Sequence, residues 1–132
     1  MKLTKCSLIT EREGMYDITA QVTDSVRSNK VTNGIVVIYT PHTTCAITIN
    51  ENADPNVQKD VVLGLDKISP VLSGFKHDEG NSDAHIKSSI VGASETIIIS
   101  NGSLLLGTWQ GIYFLEFDGP RERTFYIKII EG

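Results

Sequence analysis

Apolar residues occur along the chain in two patterns, short uninterrupted runs and stripes at helical spacing. The runs at residues 34–39 and 96–99 are continuous and mostly apolar, which is typical of strands covered on both faces, and we predict strands at 34–39 and 96–100. Four more segments are rich in β-branched and aromatic residues, and we predict strands there: 3–10, 45–50, 111–117 and 124–130. Asn101-Gly102 follows the 96–100 strand and predicts a tight hairpin turn.

We predict helices in three segments, and the first two place apolar residues on one face. The first covers residues 16–26. The second begins at Asp54, a favourable N-cap, with Pro55 in its first turn. The third covers residues 83–91. Because strands and helices do not alternate as regular βαβ units, the sequence predicts the α+β class.

The whole chain, residues 1–132, is predicted to form one compact domain. Mixed or antiparallel sheets would form a sandwich-like core with about three helices. Its content of 40% apolar and 21% charged residues is that of an ordinary globular protein. Ile, Val and Thr number 16, 10 and 12 against 9 Leu, which favours strands.

Charge and cysteine content exclude several classes of protein. The net charge of −4 and the scattered Lys and Arg argue against a nucleic-acid partner. No apolar run approaches the roughly 18 residues of a membrane span, so no membrane partner is expected. The first residues show no secretory signal. Cys6 and Cys45 are the only cysteines, and we expect two reduced thiols in a cytoplasmic protein.

The three histidines are candidates for chemistry. His42 follows the predicted 34–39 strand, His77 lies in a loop, and His85 falls in the first turn of the third helix. Imidazoles from separate elements could converge on one divalent metal and leave a position open, as in catalytic zinc sites. The spacing is also compatible with three unrelated histidines, each satisfied by a local hydrogen bond.

Carboxylates are dense around His77 and His85. Asp78, Glu79 and Asp83 could orient the imidazoles, hold Mg²⁺, or act as a general base. The alternative is a solvated loop with acids that cap a helix.

Polar residues of the third helix could contact a substrate. Lys87 lies four residues after Asp83, which predicts either a surface ion pair or a contact with an anionic substrate. Ser88 and Ser89 are poor helix formers, so one of them could bind a ligand, or both could allow close packing.

Two more polar groups lie at the ends of predicted strands. Asn50 and Glu51 stand where a strand gives way to a helix, a common place for binding residues. Trp109 and Gln110 lie between two glycines and could stack on, or read the edge of, an aromatic ring. A tryptophan buried at a strand bulge is the alternative.

Four motifs, in matching order and spread over essentially the whole chain, resemble the YjbQ-like family, whose members are commonly labelled secondary thiamine-phosphate synthase. The motifs are Pro41-His42-Thr43-Thr44-Cys45-Ala46, Asn50-Glu51-Asn52-Ala53-Asp54-Pro55, His77-Asp78-Glu79-Gly80-Asn81-Ser82-Asp83-Ala84-His85-Ile86-Lys87-Ser88-Ser89 and Gly107-Thr108-Trp109-Gln110-Gly111-Ile112.

This resemblance implies a homotrimer with a weak synthase activity. The reaction joins hydroxymethylpyrimidine pyrophosphate to a thiazole phosphate and gives thiamine phosphate and pyrophosphate. A small phosphorylated molecule is therefore the expected partner. The expected cofactor is a divalent metal, zinc first, with magnesium as the alternative beside pyrophosphate.

The resemblance also implies roles for particular side chains. The metal is assigned to His42, His77 and His85, and catalysis to Glu79, Asp83 and His85. Substrate binding is assigned to Asn50, Glu51, Lys87, Ser88, Trp109 and Gln110. The charge of a leaving pyrophosphate needs cationic groups, for which Lys87, Arg121 and Arg123 are candidates, although both arginines could be exposed charges of the last hairpin turn.

Three other hypotheses remain open. The chain could be a trimer that binds a phosphometabolite without turnover. It could be a metal-dependent hydrolase or lyase. It could also be a structural protein whose histidines are incidental.

Overall fold

The computed structural model describes residues 2–132, which form eight strands and three helices. In chain order the elements are β1 (Leu3–Ile9), β2 (Gly14–Asp17), α1 (Thr19–Ser28), β3 (Gly34–Tyr39), β4 (Cys45–Glu51), α2 (Pro55–Ile68), α3 (Ser82–Val91), β5 (Ser94–Ser100), β6 (Ser103–Leu104), β7 (Gln110–Glu116) and β8 (Glu122–Glu131). All six predicted strands and all three predicted helices are present. The predicted α+β class is confirmed.

The strands form two antiparallel sheets. The larger has the order β1-β8-β3-β5-β6 and the smaller has the order β2-β7-β4. The predicted turn at Asn101-Gly102 joins β5 to β6 as a two-residue hairpin. Both turn residues have positive φ, 51° at Asn101 and 78° at Gly102, as this tight turn requires.

Two layers of apolar side chains cover the two faces of the smaller sheet. One face packs on the larger sheet and on α1, through residues such as Ile47, Phe114 and Phe125. The other face packs beneath α2 and α3, where Leu65 and Ala84 meet Tyr113, Leu115 and Phe117. The layers are therefore sheet, sheet and helices.

The outer face of the larger sheet is open within the single chain. Ile35 pairs with Ile98 on one side and with Ile130 on the other. Ile98 is 55% exposed and Ile130 is 48% exposed. In the single chain, the 96–100 strand is therefore covered on one face only. Its apolar composition predicted a strand covered on both faces.

The start of the first helix differs from the prediction by three residues. Tyr16 belongs to β2, where it pairs with Phe114 across the smaller sheet. The helix begins only at Thr19, whose amide and hydroxyl groups both donate to the Asp17 carboxylate. The stripe of Ile18, Val22 and Val26 is buried as predicted.

The second helix begins as its sequence predicts. Asp54 Oδ1 accepts a hydrogen bond from the backbone N–H of Asn56 at 2.9 Å, and Pro55 occupies the first turn. Among residues 2–132, the helices are too short or too polar for any of them to span a bilayer.

Candidate active site

The three histidines line one cleft of about 360 Å³, which we call the histidine cleft. The loop that connects β3 of the larger sheet to β4 of the smaller sheet forms one wall. The segment before α3 and the turn between β7 and β8 form the others. The lining residues are Pro41, His42, Thr43, Thr44, His77, Glu79, Asn81, His85, Asp118, Arg121 and Arg123.

The His42 imidazole is held by a hydrogen bond to the start of β8. Its Nε2 atom accepts from the backbone N–H of Thr124 at 2.9 Å. Burial and the nearby Arg123 guanidinium lower the pKa of His42, which favours the neutral ring. A neutral ring that accepts at Nε2 carries its proton on Nδ1. His42 is therefore a hydrogen-bond donor through Nδ1.

The Arg123 guanidinium forms a buried bidentate ion pair with Glu116. Arg123 Nε donates to Glu116 Oε1 at 2.7 Å, and Nη2 donates to Oε2 at 2.5 Å. Nη2 also donates to the Thr44 hydroxyl at 2.9 Å. Burial disfavours the Glu116 carboxylate, but hydrogen bonds from Arg123 and Thr10 outweigh it and lower the pKa. None of these bonds uses Nη1.

The Arg121 guanidinium is fixed in a similar way by Asp118. Arg121 Nε donates to the Asp118 carbonyl at 2.8 Å, and Nη2 donates to Oδ2 at 2.9 Å. The same carboxylate oxygen accepts from Asn81 Nδ2 at 2.7 Å, which ties the turn between β7 and β8 to the start of α3. Nη1 again takes no part in these bonds.

His77 and His85 are neighbours across the cleft. Their ring centroids lie 5.4 Å apart, with one ring edge facing the other ring. The cleft also contains Glu79, which belongs to the predicted catalytic group. Within residues 2–132, however, no group of three or more His, Cys, Asp and Glu side chains is arranged to hold a metal ion. Nε2 of His42 already accepts the hydrogen bond from Thr124. The metal site formed by the three histidines therefore stays a prediction.

Lys87 and Asp83 lie away from the histidine cleft. The Lys87 side chain is fully buried between α3, α2 and the β1–β2 connection. Its Nζ donates to Glu13 Oε1 at 3.0 Å and to Asp66 Oδ1, and it lies 3.9 Å from Asp83 Oδ2. Neither Lys87 nor Asp83 lines the histidine cleft in this structure. Their predicted roles in substrate binding and catalysis therefore gain no support from the geometry.

The Ser88 hydroxyl group is engaged in a hydrogen bond within the protein. Its Oγ donates to the Cys45 carbonyl at 2.6 Å, and this buried bond holds α3 against β4. Ser88 therefore serves the close packing that the sequence allowed as the alternative to ligand binding. It also borders a cavity beside the histidine cleft.

The other predicted binding residues lie at the opposite end of the smaller sheet. Glu51 pairs with Gln110, whereas Cys45, next to the histidine loop, pairs with Glu116. Glu51 lies six positions after Cys45 on β4, which corresponds to about 20 Å of strand. Trp109 is 62% exposed, so the alternative of a buried tryptophan is wrong for the single chain. Asn50, Glu51, Trp109 and Gln110 therefore do not join the histidines within one chain.

Sequence reasoning missed the carboxylates that hold the two arginines. Glu116 lies inside the predicted 111–117 strand, and a charged residue within an apolar strand signals a buried partner. Asp118 directly follows the same strand. Each carboxylate occurs close in sequence to its arginine, and the turn that leads from β7 in the smaller sheet to β8 in the larger sheet brings them together.

The fold and the cleft define a small α+β sandwich with a cleft of histidines and arginines at one end. The chain belongs to the family described as UPF0047 protein YjbQ-like, whose model matches residues 4–132.

Curated relatives support the assignment along nearly the whole chain. A UPF0047 protein of Methanocaldococcus jannaschii is 59% identical over 120 residues, which cover 91% of this chain and 87% of that protein. The UPF0047 protein YugU of Bacillus subtilis is 54% identical over 122 residues, with 92% of each chain covered.

Solved structures show the same fold. An uncharacterised YjbQ/UPF0047 family protein of Clostridium acetobutylicum superposes with a TM-score of 0.94 at 53% identity, over 96% of this chain and 99% of that one. A hypothetical protein of Aeropyrum pernix gives a TM-score of 0.94 at 36% identity, with full coverage of both chains.

Proposed function

We propose that this protein is an enzyme that binds a small phosphorylated molecule in the histidine cleft. The observation that carries the proposal is that Arg121, Arg123 and His42 line one cleft, each fixed by hydrogen bonds to the protein. Guanidinium groups bind phosphate through directed N–H donors, and an imidazole N–H adds another.

The carboxylate partners orient both arginines before a ligand arrives. Each guanidinium uses Nε and Nη2 in its protein contacts, so Nη1 is the group available to a phosphate oxygen. Donors that are already oriented need little reorganisation when an anion binds. The paired carboxylates also reduce the positive charge of the cleft, so the binding we propose depends on directed donors more than on net charge.

Thiamine-phosphate synthesis is the reaction that the family resemblance suggests for such a cleft. The ring nitrogen of the thiazole phosphate forms a C–N bond to the methylene carbon of the pyrimidine. The C–O bond to pyrophosphate breaks, and its electron pair leaves with pyrophosphate. Arg121, Arg123 and His42 would stabilise the charge on this leaving group, and Glu79 or His85, in its protonated form, would donate a proton to the pyrophosphate oxygen that leaves.

A metal-dependent hydrolase or lyase is the second candidate. The edge contact between His77 and His85 favours it, because two adjacent imidazoles are a partial ligand set for zinc. A bound divalent cation would supply Lewis-acid chemistry at the phosphate. Elemental analysis of protein without a histidine tag, wild type against His85→Ala, tests it. About one metal per chain, lost in the variant, supports the metal, and no metal in either protein contradicts it.

A homotrimer in the cytoplasm is the assembly that we propose. The open outer face of the larger sheet supports an assembly, since contact with a second copy would remove Ile35, Ile98 and Ile130 from water. An assembly could also bring the Trp109 end of one chain toward the histidine cleft of another. Two free cysteines, Cys6 and Cys45, agree with a reducing compartment.

Product formation tests the proposed enzyme directly. The assay follows thiamine phosphate and pyrophosphate with wild-type protein, Arg121→Ala and the control Arg27→Ala. Arg27 is a matched control because it is also exposed and also pairs with an Asp three residues before it. We expect a loss of at least tenfold in rate for Arg121→Ala alone. Saturable binding of substrates without product would favour the non-catalytic binding protein.

A further inference from the structure

A second cavity, of about 540 Å³, adjoins the histidine cleft. The two share four lining residues, Pro41, His42, Thr43 and His85. The other lining residues come from the end of β3, the end of α3 and the segment after it, and they are Tyr39, Thr40, Ser88, Ser89, Gly92 and Ala93. The imidazoles of His42 and His85 therefore stand where the two cavities meet.

The adjoining cavity differs from the histidine cleft in charge. The cleft is lined by two arginines and two carboxylates, whereas no Asp, Glu, Lys or Arg of the described part of the chain lines the adjoining cavity. Apart from the shared histidines, its walls are hydroxyl groups, small aliphatic groups and the Tyr39 ring. Such walls suit the uncharged part of a ligand that carries a few polar groups.

The end of α3 forms one wall of this cavity, and there is free space beside it. Gly92 ends the helix with a φ of 101°, a conformation that L side chains rarely adopt. Within residues 2–132, no atom lies within 4 Å of the position that a Cβ would take there. Ser89 is exposed, and its Oγ donates only to the His85 carbonyl of the preceding turn. Position 89 can therefore be enlarged without breaking a buried hydrogen bond.

We propose that the adjoining cavity is a subsite for the uncharged organic part of a phosphate ester, with Tyr39 as a determinant of specificity. This inference rests on the proposed function, because it places the phosphate group in the histidine cleft. The bond between phosphate and organic part then lies beside His42 and His85, the two imidazoles that line both cavities. Inorganic phosphate would occupy the histidine cleft alone.

Titration with two anions tests the subsite. Inorganic phosphate and phenyl phosphate carry the same anionic group, but only phenyl phosphate has an uncharged ring. We expect wild-type protein to bind phenyl phosphate at least tenfold more tightly. Ser89→Leu should fill the subsite and remove this preference, while the Kd for inorganic phosphate stays within twofold.

Tyr39→Ala provides a second test that does not depend on Ser89→Leu. This variant should weaken the binding of phenyl phosphate several-fold and leave inorganic phosphate unchanged. Tyr126→Ala is its matched control, because Tyr126 pairs with Tyr39 across the sheet but lines neither cavity.

The outcomes separate this inference from the proposed function. Equal affinity of the wild type for both anions overturns the subsite, and so does a preference that survives both variants, while the phosphate site in the cleft stands. If neither anion binds, the proposed function and the subsite fail together.

Discussion

The Lys87 Nζ atom lies 3.0 Å from Glu13 Oε1, although the two residues are 74 positions apart in the sequence. The ammonium group is fully buried, also bonds to Asp66, and lies 6.0 Å from the centre of the Phe117 ring. Burial alone would lower the pKa of Lys87, but the hydrogen bonds to Asp66 and Glu13 outweigh it and raise the pKa. This cluster joins α3, which carries His85, to α2 and to the β1–β2 connection.

Glu13 should make stability depend on pH. Burial, together with a hydrogen bond to Asp66, raises the pKa of Glu13 from 4.5 to about 7. The folded protein then binds the Glu13 proton more tightly than the unfolded chain, so stability is lost as pH rises from about 5 to about 8. Between these pH values, the unfolding free energy of wild type should fall by on the order of 2 kcal/mol relative to Glu13→Gln.

Urea denaturation at several pH values measures this difference. His42 contributes the opposite slope, because its pKa is lowered, but it is present in wild type and variant and cancels in the comparison. Glu11→Gln changes an exposed carboxylate of the same loop and should keep the wild-type slope. Parallel slopes for wild type and Glu13→Gln would show that Glu13 does not titrate in this range.

Removing the Lys87 charge should destabilise the fold. Lys87→Met keeps the length of the side chain but leaves Glu13 and Asp66 without their cation, and we expect a loss of about 3 kcal/mol. Lys67→Met, on the exposed side of α2, should change the unfolding free energy by less than about 0.5 kcal/mol. Equal stability of the two variants would contradict the account of Lys87 as a buried cation held by two carboxylates.

We predict which neutral tautomer His42 adopts, and the test of this prediction needs no substitution. Because Nε2 accepts from Thr124 N–H, the neutral ring should be protonated at Nδ1. Nitrogen-15 NMR of imidazole groups at pH 7.5 distinguishes the two neutral tautomers. A His42 ring protonated at Nε2 would rule out the hydrogen bond and, with it, the Nδ1 donor that the proposed phosphate site uses.

The Arg123–Glu116 pair should show strong coupling between its two members. Arg123→Met and Glu116→Gln each leave a buried partner uncompensated, so each should cost about 3–5 kcal/mol. The double variant should cost clearly less than the sum of the two, because no uncompensated charge remains. Unfolding free energies of the four proteins give the coupling, and simple additivity would mean that the pair contributes no specific interaction.

Local patterns in the sequence predicted most of the fold but only part of the site. Apolar runs, helical stripes and the Asn101-Gly102 turn depend on nearby residues, and these elements were found. Strand β2 was missed because four residues give too short a pattern. The sequence also indicated His42 as a candidate ligand, and the family resemblance added Arg121 and Arg123 as candidate cations; all three line one cleft.

The remaining features depend on contacts between distant residues. The pairing of Lys87 with Glu13 follows from the packing of α3 on the β1–β2 connection, and spacing suggested only Asp83 as a partner. The separation of Trp109 from His42 follows from the register of β4 with β7. Neither the Lys87–Glu13 pair nor the distance between Trp109 and His42 can be predicted from a local sequence pattern.

Pyrophosphate binding tests the central claim most directly, since this anion is the product that the proposed reaction releases. Isothermal titration should show saturable binding to wild-type protein and to Arg27→Ala. Arg121→Ala should bind at least tenfold more weakly, because one of the oriented guanidinium groups of the histidine cleft is lost. Equal affinities of Arg121→Ala and Arg27→Ala, or no binding to wild type, would contradict the assignment of the histidine cleft as a phosphate site.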